Sequence, residues 1–245
     1  MASRQRIDRL LVERGLFESR AKAQAAIAAG LVTADEAIVA KASDEISTDA
    51  VLRAAPAHPW VSRGGIKLAA ALDHFGAAFN PARRICLDVG ASTGGFTQVL
   101  LARGAKRVYA IDVGRGQLHP SLRDRPEIVS IEATDVRALA AARLPEPPDF
   151  VTVDVSFISL KLVLPAALAL ATTPACLLAL IKPQFEAGRS DGKKGIVRDP
   201  LVHARVCDDI EACVGALGWS VAGVVPSPIA GGDGNREFFI GARRD

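Results

Sequence analysis

From Ile85 onward the chain alternates short apolar runs with longer segments of helical period. The runs are I-C-L-D-V-G, R-V-Y-A-I-D-V-G, I-V-S-I-E-A-T-D, F-V-T-V-D-V-S and C-L-L-A-L-I-K-P. Between them lie a helix through Phe96 to Arg103, a long apolar helix, and a helix from Pro200 to Leu217. Strands that are apolar on both faces and separated by helices predict a parallel sheet covered on both sides. The ending differs: S-V-A-G-V-V-P-S-P-I and R-E-F-F-I-G-A have no helix between them, which predicts an antiparallel hairpin closing the sheet.

Residues 3–55 follow another rhythm. Ile7, Leu10 and Leu11 give a short amphipathic helix stopped at Gly15. Ser19 is placed to cap a second helix, whose face Ala23, Ala26, Ile27 runs to Gly30. Leu31 to Thr33, Ala37 to Ala40 and Val51-Leu52 then read as short strands. The predicted architecture is therefore α/β: a small N-terminal α+β module at 3–55, a linker at 56–62, and a Rossmann-like sheet domain at 63–245. Pro56 and Pro59 stiffen the linker, and Trp60 is expected to pack the domain edge.

Composition narrows the class. The longest apolar stretch, Leu160 to Ile181, is broken by Lys161, Pro165 and Pro174, so it reads as a buried helix and strand rather than a membrane span. The start, M-A-S-R-Q-R-I-D, lacks the apolar core of a signal peptide. Cys86, Cys176, Cys207 and Cys213 have no C-x-x-C spacing and are expected to be reduced core residues of a cytoplasmic protein. No metal site is expected. Net charge is only +3, but it is unevenly spread. Arg4 to Lys22 holds six basic and three acidic residues, whereas Asp35 to Asp49 holds five acidic residues against Lys41. Charge alone suits a solvated helix face as well as a phosphate footprint.

The first strand-to-helix turn is D-V-G-A-S-T-G-G-F, with Asp88, Gly90, Gly94 and Gly95. Its G-x-x-x-G-G spacing departs from the G-x-G-x-x-G of pyrophosphate-binding turns and points to S-adenosylmethionine (SAM), which has no phosphate to cradle. Asp112 and Asp135 follow the next two strands, where carboxylates can take ribose hydroxyls and lie near an adenine amine. Helix capping would account for any one of these acids, not for the series. Four further charges, Lys67, Asp154, Lys182 and Glu237, each end an apolar run. Two lysines and two carboxylates converging on the crevice at the strand ends suit removal of a proton from a weak acid such as a ribose hydroxyl.

The pattern R-I-D-R-L-L-V-E-R-G-L with S-R-A-K-A-Q-A-A-I-A-A-G-L-V resembles the S4 RNA-binding domain. That resemblance implies phosphate contacts from Arg4, Arg6, Arg20 and Lys22. Where the family has V-x-V-N-G, this chain has the turn Ala34-Asp35-Glu36 without glycine. Val61 to Phe239 resembles the FtsJ-like ribosomal RNA 2′-O-methyltransferases, and with the S4-like module in front the whole chain resembles the TlyA (hemolysin A) family. K-P-Q-F-E-A-G-R and K-G-I-V-R-D-P carry that likeness most closely. It implies SAM contacts at Gly94, Phe96, Asp112 and Asp135 and a catalytic set of Lys67, Asp154, Lys182 and Glu237.

We expect Lys182 as the base, Lys67 as the neighbouring cation that eases its loss of a proton, and Asp154 and Glu237 as their positioners. The basic, glycine-rich run from Gln184 to Asp199 is expected to close over RNA through Arg189, Lys193, Lys194 and Arg198. The fourth strand ends D-V-S-F, not the N-P-P-Y of many N-methylating enzymes, and no cysteine sits in a P-C context for attack on a pyrimidine carbon. The resemblance thus implies a methyltransferase acting on a cytidine ribose in ribosomal RNA or a ribosomal subunit; separately, a monomer is expected. The chain ends seven residues after Phe238, from which the large subunit is expected. Two other readings are a membrane-active hemolysin, which liposome leakage by SAM-free protein would support, and an RNA-binding protein with an inactive methyltransferase fold, which absence of SAM binding would support.

Overall fold

The computed structural model describes residues 3–188 and 195–245, so Arg189, Lys193 and Lys194 lie outside the described residues. The chain forms two compact units, Met1–Pro59 and Trp60–Asp245.

In the first unit β1 (Arg4–Arg6) leads directly into α1 (Ile7–Glu13), and α2 (Arg20–Ala28) starts where the Ser19 side chain accepts from the Lys22 N–H. Then come β2 (Val32–Ala34), β3 (Ala37–Ile38), β4 (Glu45–Ser47) and β5 (Leu52–Ala54). They make two small sheets, an antiparallel β1-β4 pair and a β3-β2-β5 trio. β1 and β4 were not expected, since R-Q-R and E-I-S show no apolar alternation. The turn at Ala34-Asp35-Glu36 forms a hairpin without glycine: Asp35 and Glu36 take positive φ of 46° and 69°, and Asp35 Oδ1 accepts from the Val51 N–H at 2.8 Å.

Ile7, Leu11, Ala23, Ala26 and Val32 close the core of this unit. Beside them Asp8 is fully buried, which is tolerable only because it is paired. Arg6 and Arg20 donate to its carboxylate, with Arg20 Nη2 at 2.7 Å, and Gln24 adds a third donor at 2.8 Å. The Arg6 hydrogen bond, seconded by Arg20 and Gln24, holds the Asp8 carboxyl well below the usual range despite its burial.

The second unit opens with α3 (Arg63–Phe75), then β6 (Ile85–Val89), α4 (Gly95–Ala102), β7 (Arg107–Ile111), α5 (Pro120–Arg123), β8 (Ile128–Ile131) and β9 (Phe150–Val153). It continues with α6 (Leu160–Ala169), β10 (Ala175–Ile181), α7 (Pro183–Glu186), α8 (Pro200–Ala216), β11 (Ser220–Pro226) and β12 (Phe238–Arg244). The seven strands run β11-β12-β10-β9-β6-β7-β8. All neighbours from β10 to β8 are parallel, while β12 is antiparallel to both β10 and β11, as the missing helix predicted.

Alternate residues of β10 face opposite layers. Leu177, Ala179 and Ile181 join the α6 and α8 side with Leu164 and Ile210; Cys176, Leu178 and Leu180 join the α3 and α4 side with Leu68 and Leu100. Both faces are apolar, so all seven residues of β10 are buried. β6 has β7 on one side and β9 on the other, which makes the gap beyond the ends of β6 and β9 the switch point of the sheet, where α/β folds receive ligands. Trp60 packs against Gly65 at the start of α3, where a side chain would collide with the indole. All four cysteines are free thiols, three buried and Cys213 half-buried. Among the described residues no helix is long and apolar enough to cross a membrane.

Candidate active site

Two cavities open beyond the strand ends. The first, about 340 Å³, lies across the switch point between Gly90, Ser92, Asp112, Asp135 and Asp154. Gly90 is required here twice over. It takes φ of 83°, and a Cβ would strike the Asp154 carbonyl, so only glycine lets the turns after β6 and β9 come together. Asp112, immediately after β7, accepts from the Ser92 N–H at 2.8 Å and the Gly114 N–H at 2.7 Å, which ties the two glycine-containing turns into one rim. Glu132 secures the same rim from behind through the N–H groups of Gly116, Gln117 and Leu118.

The second cavity, about 540 Å³, is bordered by Lys67, Lys182, Glu237, Gln184 and Asp233. Ser156 and Phe157 line both cavities, so the two meet at the D-V-S-F turn. Lys182 directly follows β10, and its Nζ lies 2.6 Å from Asp154 Oδ1 and 2.9 Å from Ser156 Oγ. The Asp154 contact is an ion pair set off the axis of a good hydrogen bond, since Oδ1 has no aligned donor. Lys67 Nζ contacts Glu237 Oε2 at 2.5 Å, both side chains being almost wholly buried. Two buried cations thus sit at one cleft, each neutralised by its own carboxylate, and burial without such partners would be prohibitive. Gly231 makes room for this, since a side chain there would meet Glu237 Oε1.

Comparison with known proteins identifies both units. The FtsJ-like methyltransferase family model matches residues 60–244, and the S4 domain model matches residues 5–52. The chain belongs to the TlyA family of FtsJ-like methyltransferases. It is 44% identical to the 16S/23S rRNA (cytidine-2′-O)-methyltransferase TlyA of Mycobacterium tuberculosis, over 99% of this chain and 91% of that one. A provisionally named rRNA methyltransferase of Bacillus subtilis, YqxC, is 46% identical over 98% of this chain and 85% of its own length. A solved structure from Streptococcus thermophilus, carried under a provisional hemolysin name, superposes with a TM-score of 0.77 at 40% identity, covering all of this chain and 90% of that one.

Within this TlyA-family fold the residues expected from sequence divide into four groups. Lys67, Lys182 and Glu237 border the second cavity, though by unlike routes, and Asp154, which lines the first, reaches it through its ion pair with Lys182. Lys67 does not end a strand: it sits inside α3, on the buried face with Leu68 and Ala71. Glu237 precedes β12, and because that strand is antiparallel its start lies level with the ends of the parallel strands. Gly90, Asp112 and Asp135 line the first cavity, as do Ser92 and Gln117, which the sequence reading missed. Asp135 also pairs with Arg137, which holds its carboxyl below the usual range.

Asp88, Gly94, Gly95 and Phe96 do not line that cavity, and each has another role. Gly94, at φ 90°, starts α4 where a side chain would strike Leu118 and Leu122. A side chain on Gly95 would collide with Ser62. Phe96 is buried and stacks on Phe239, ring centroids 6.0 Å apart. Among the expected RNA contacts, Arg6 and Arg20 are tied to Asp8, Arg4 donates to the Glu45 carbonyl and Lys22 pairs with Glu18. They are anchored side chains rather than a free basic fringe. Arg198 is exposed.

Asp88 is the buried acid of the β6 turn. It accepts from Thr97 Oγ1 at 2.6 Å and Thr152 Oγ1 at 3.0 Å and pairs with no cation among the described residues. Burial pushes its carboxyl up to about 7 against an ordinary 3.8; the two hydroxyls counter this and the negative charge of Asp154 adds to it. A raised carboxyl keeps a proton that the unfolded chain has released, so folding weakens as pH climbs from about 4 to about 7 and levels off above. Asp88→Asn should remove that slope. In urea unfolding, stability relative to wild type should move in favour of the variant by roughly 2–3 kcal/mol between pH 5 and pH 8. Parallel stability curves for the two proteins would show that Asp88 is ionised in the fold.

Proposed function

We propose that this protein transfers a methyl group from SAM to the ribose 2′-hydroxyl of a cytidine in ribosomal RNA. The observation that carries this reading is the meeting of the two cavities at Ser156 and Phe157, with Asp154 on the side of the first and its partner Lys182 on the side of the second. The first cavity suits the cofactor. Asp112 has oxygen lone pairs left over for ribose hydroxyls after its two backbone bonds, apolar Val113 and Val136 flank a flat base, and Asp135 stands nearby. SAM, when bound, supplies a methyl group already attached to a good leaving group.

What remains for the protein is alignment and one proton. Lys182 accepts the hydroxyl proton, held in place by Asp154 and Ser156. Lys67, paired with Glu237, orients the ribose oxygens. Phe157 is 91% exposed at the junction, held at φ 66° with its ring 5.1 Å from that of Phe185. An exposed aromatic beside the cleft offers a stacking surface to an unpaired base, the state in which RNA is read by sequence. The S4 domain supplies the hold on RNA through the outward parts of Arg6 and Arg20.

Mapping ribose methylation on ribosomes from a deletion strain, with and without this protein restored, tests the proposal. The expected result is loss and restoration of methyl at a cytidine, in the large subunit first. A methyl on a base atom, or an unchanged map in both subunits, would reject it.

A further inference from the structure

The second cavity has, in addition to its four charges, an amide that nothing in the fold uses fully. Gln184 stands two residues after Lys182, at the start of α7, and borders the same cleft. Its Nε2 lies 3.4 Å from Asp233 Oδ2. The orientation is set by chemistry: turned over, the amide oxygen would face a carboxylate oxygen, so the NH₂ must point at Asp233 and the carbonyl away from it. That carbonyl, Gln184 Oε1, is sheltered from solvent and has no donor among the described residues. A buried acceptor left unpaired is unfavourable, and such exceptions call for an explanation.

The neighbouring groups show what kind of partner is missing. Lys67 and Lys182 are committed to Glu237 and Asp154. Asp233 is committed to Asn235, whose Nδ2 donates to it at 2.7 Å while its Oδ1 accepts from the Val197 N–H at 2.9 Å. Asn235 is itself fully buried, so Asp233 is held from a rigid support. What would complete Gln184 Oε1 is a donor from a bound group, and an uncharged one adds no third cation beside Lys67 and Lys182.

Among pyrimidine nucleosides the edge distinguishes the two bases. Cytosine carries an exocyclic amine, a donor, where uracil carries a carbonyl, an acceptor. We propose that Gln184 Oε1 accepts the exocyclic amine of the target cytosine, which makes Gln184 the residue that selects cytidine over uridine. The proposal rests on the reading of this cleft as the ribose methylation site. A uracil would set one carbonyl against another in a sheltered position, and sites built to hydrogen-bond a substrate reject analogues that leave buried groups unpaired.

The test uses the full chain with SAM and ribosomal subunits in which the mapped target nucleotide is either the natural cytidine or a C-to-U replacement. Single-turnover rates on both are measured for wild type, for Gln184→Met, which keeps the length without the amide, and for Gln184→Asn, which withdraws the carbonyl. SAM affinity and thermal stability serve as controls on folding. Wild type should prefer cytidine by about thirtyfold or more, the worth of one lost charge-free hydrogen bond plus an opposed acceptor. In Gln184→Met the preference should fall to within about threefold, mostly through a slower rate on cytidine, with SAM affinity unchanged, and Gln184→Asn should lie between. An undiminished preference in a folded Gln184→Met, or no preference in wild type, overturns the assignment while leaving the methylation reading intact. Failure of wild type to methylate the ribose of the natural subunits sinks both.

Discussion

Replacing Lys182 with alanine is expected to abolish methyl transfer while SAM affinity and the fold stay nearly intact. Lys182 borders the second cavity and not the first, so the cofactor loses no direct contact. General bases contribute about 10²–10⁴ in rate, and a loss of at least a hundredfold in single-turnover rate is the expected size. Asp154 would lose its cation, but its side chain keeps some access to water, so the melting temperature should fall only modestly. Lys182→Arg should fail almost as badly. Guanidinium keeps the charge and can still pair with Asp154, yet it cannot accept a proton. The contrast between the two variants separates chemistry from electrostatics: a robustly active arginine enzyme would mean that Lys182 only clamps charge and that water or Asp154 takes the proton.

Much of this site could be read along the chain because the sheet imposes a simple rule. A parallel strand buried on both faces is an apolar run, and the first charge after it falls at the ligand-binding edge. Asp112, Asp154 and Lys182 obey that rule to the residue, and each follows β7, β9 or β10 without a gap. Lys67 satisfied the pattern for a different reason, since the apolar residues before it belong to the first turn of a helix. Its partner Glu237 is 170 positions away, and only the antiparallel return of β12 brings it level.

The glycine-rich turn was harder to read. Four small or apolar residues there look alike in sequence, but Gly90 faces the cavity whereas Gly94, Gly95 and Phe96 pack inward against Leu118, Ser62 and Phe239. Asp88 gave no hint of its burial, because its partners are two threonines, not a charge. The basic residues of the first unit were legible as a cluster but not as a knot. Asp8 sits among them in the sequence, and only the fold shows it buried with Arg6 and Arg20 turned onto it. Ser156 and Gln184 were missed because uncharged polar residues beside strand ends are common; what marks them is the cavity they border.

Asp112→Ala should weaken SAM binding by at least about tenfold, measured by calorimetry on the folded protein. The side chain has two separable tasks. Two of its lone pairs take the Ser92 and Gly114 N–H groups and so shape the rim of the first cavity; under the proposed function the remaining ones take the ribose hydroxyls. Hydrogen bonds to a charged group contribute roughly 1.5–3 kcal/mol each, so even one lost at the ribose gives the tenfold effect. Alanine removes both tasks, whereas Asp112→Asn keeps one carbonyl oxygen for the backbone while giving up the charge. If ribose recognition dominates, asparagine should behave nearly as badly as alanine; if rim geometry dominates, asparagine should recover much of the affinity. An unchanged dissociation constant in a folded Asp112→Ala would mean that the cavity at the switch point is not where the cofactor binds. Activity lost in Asp112→Ala should return at high SAM concentration, while activity lost in Lys182→Ala should not, and that difference tells the cofactor cavity from the cleft where the proton is removed.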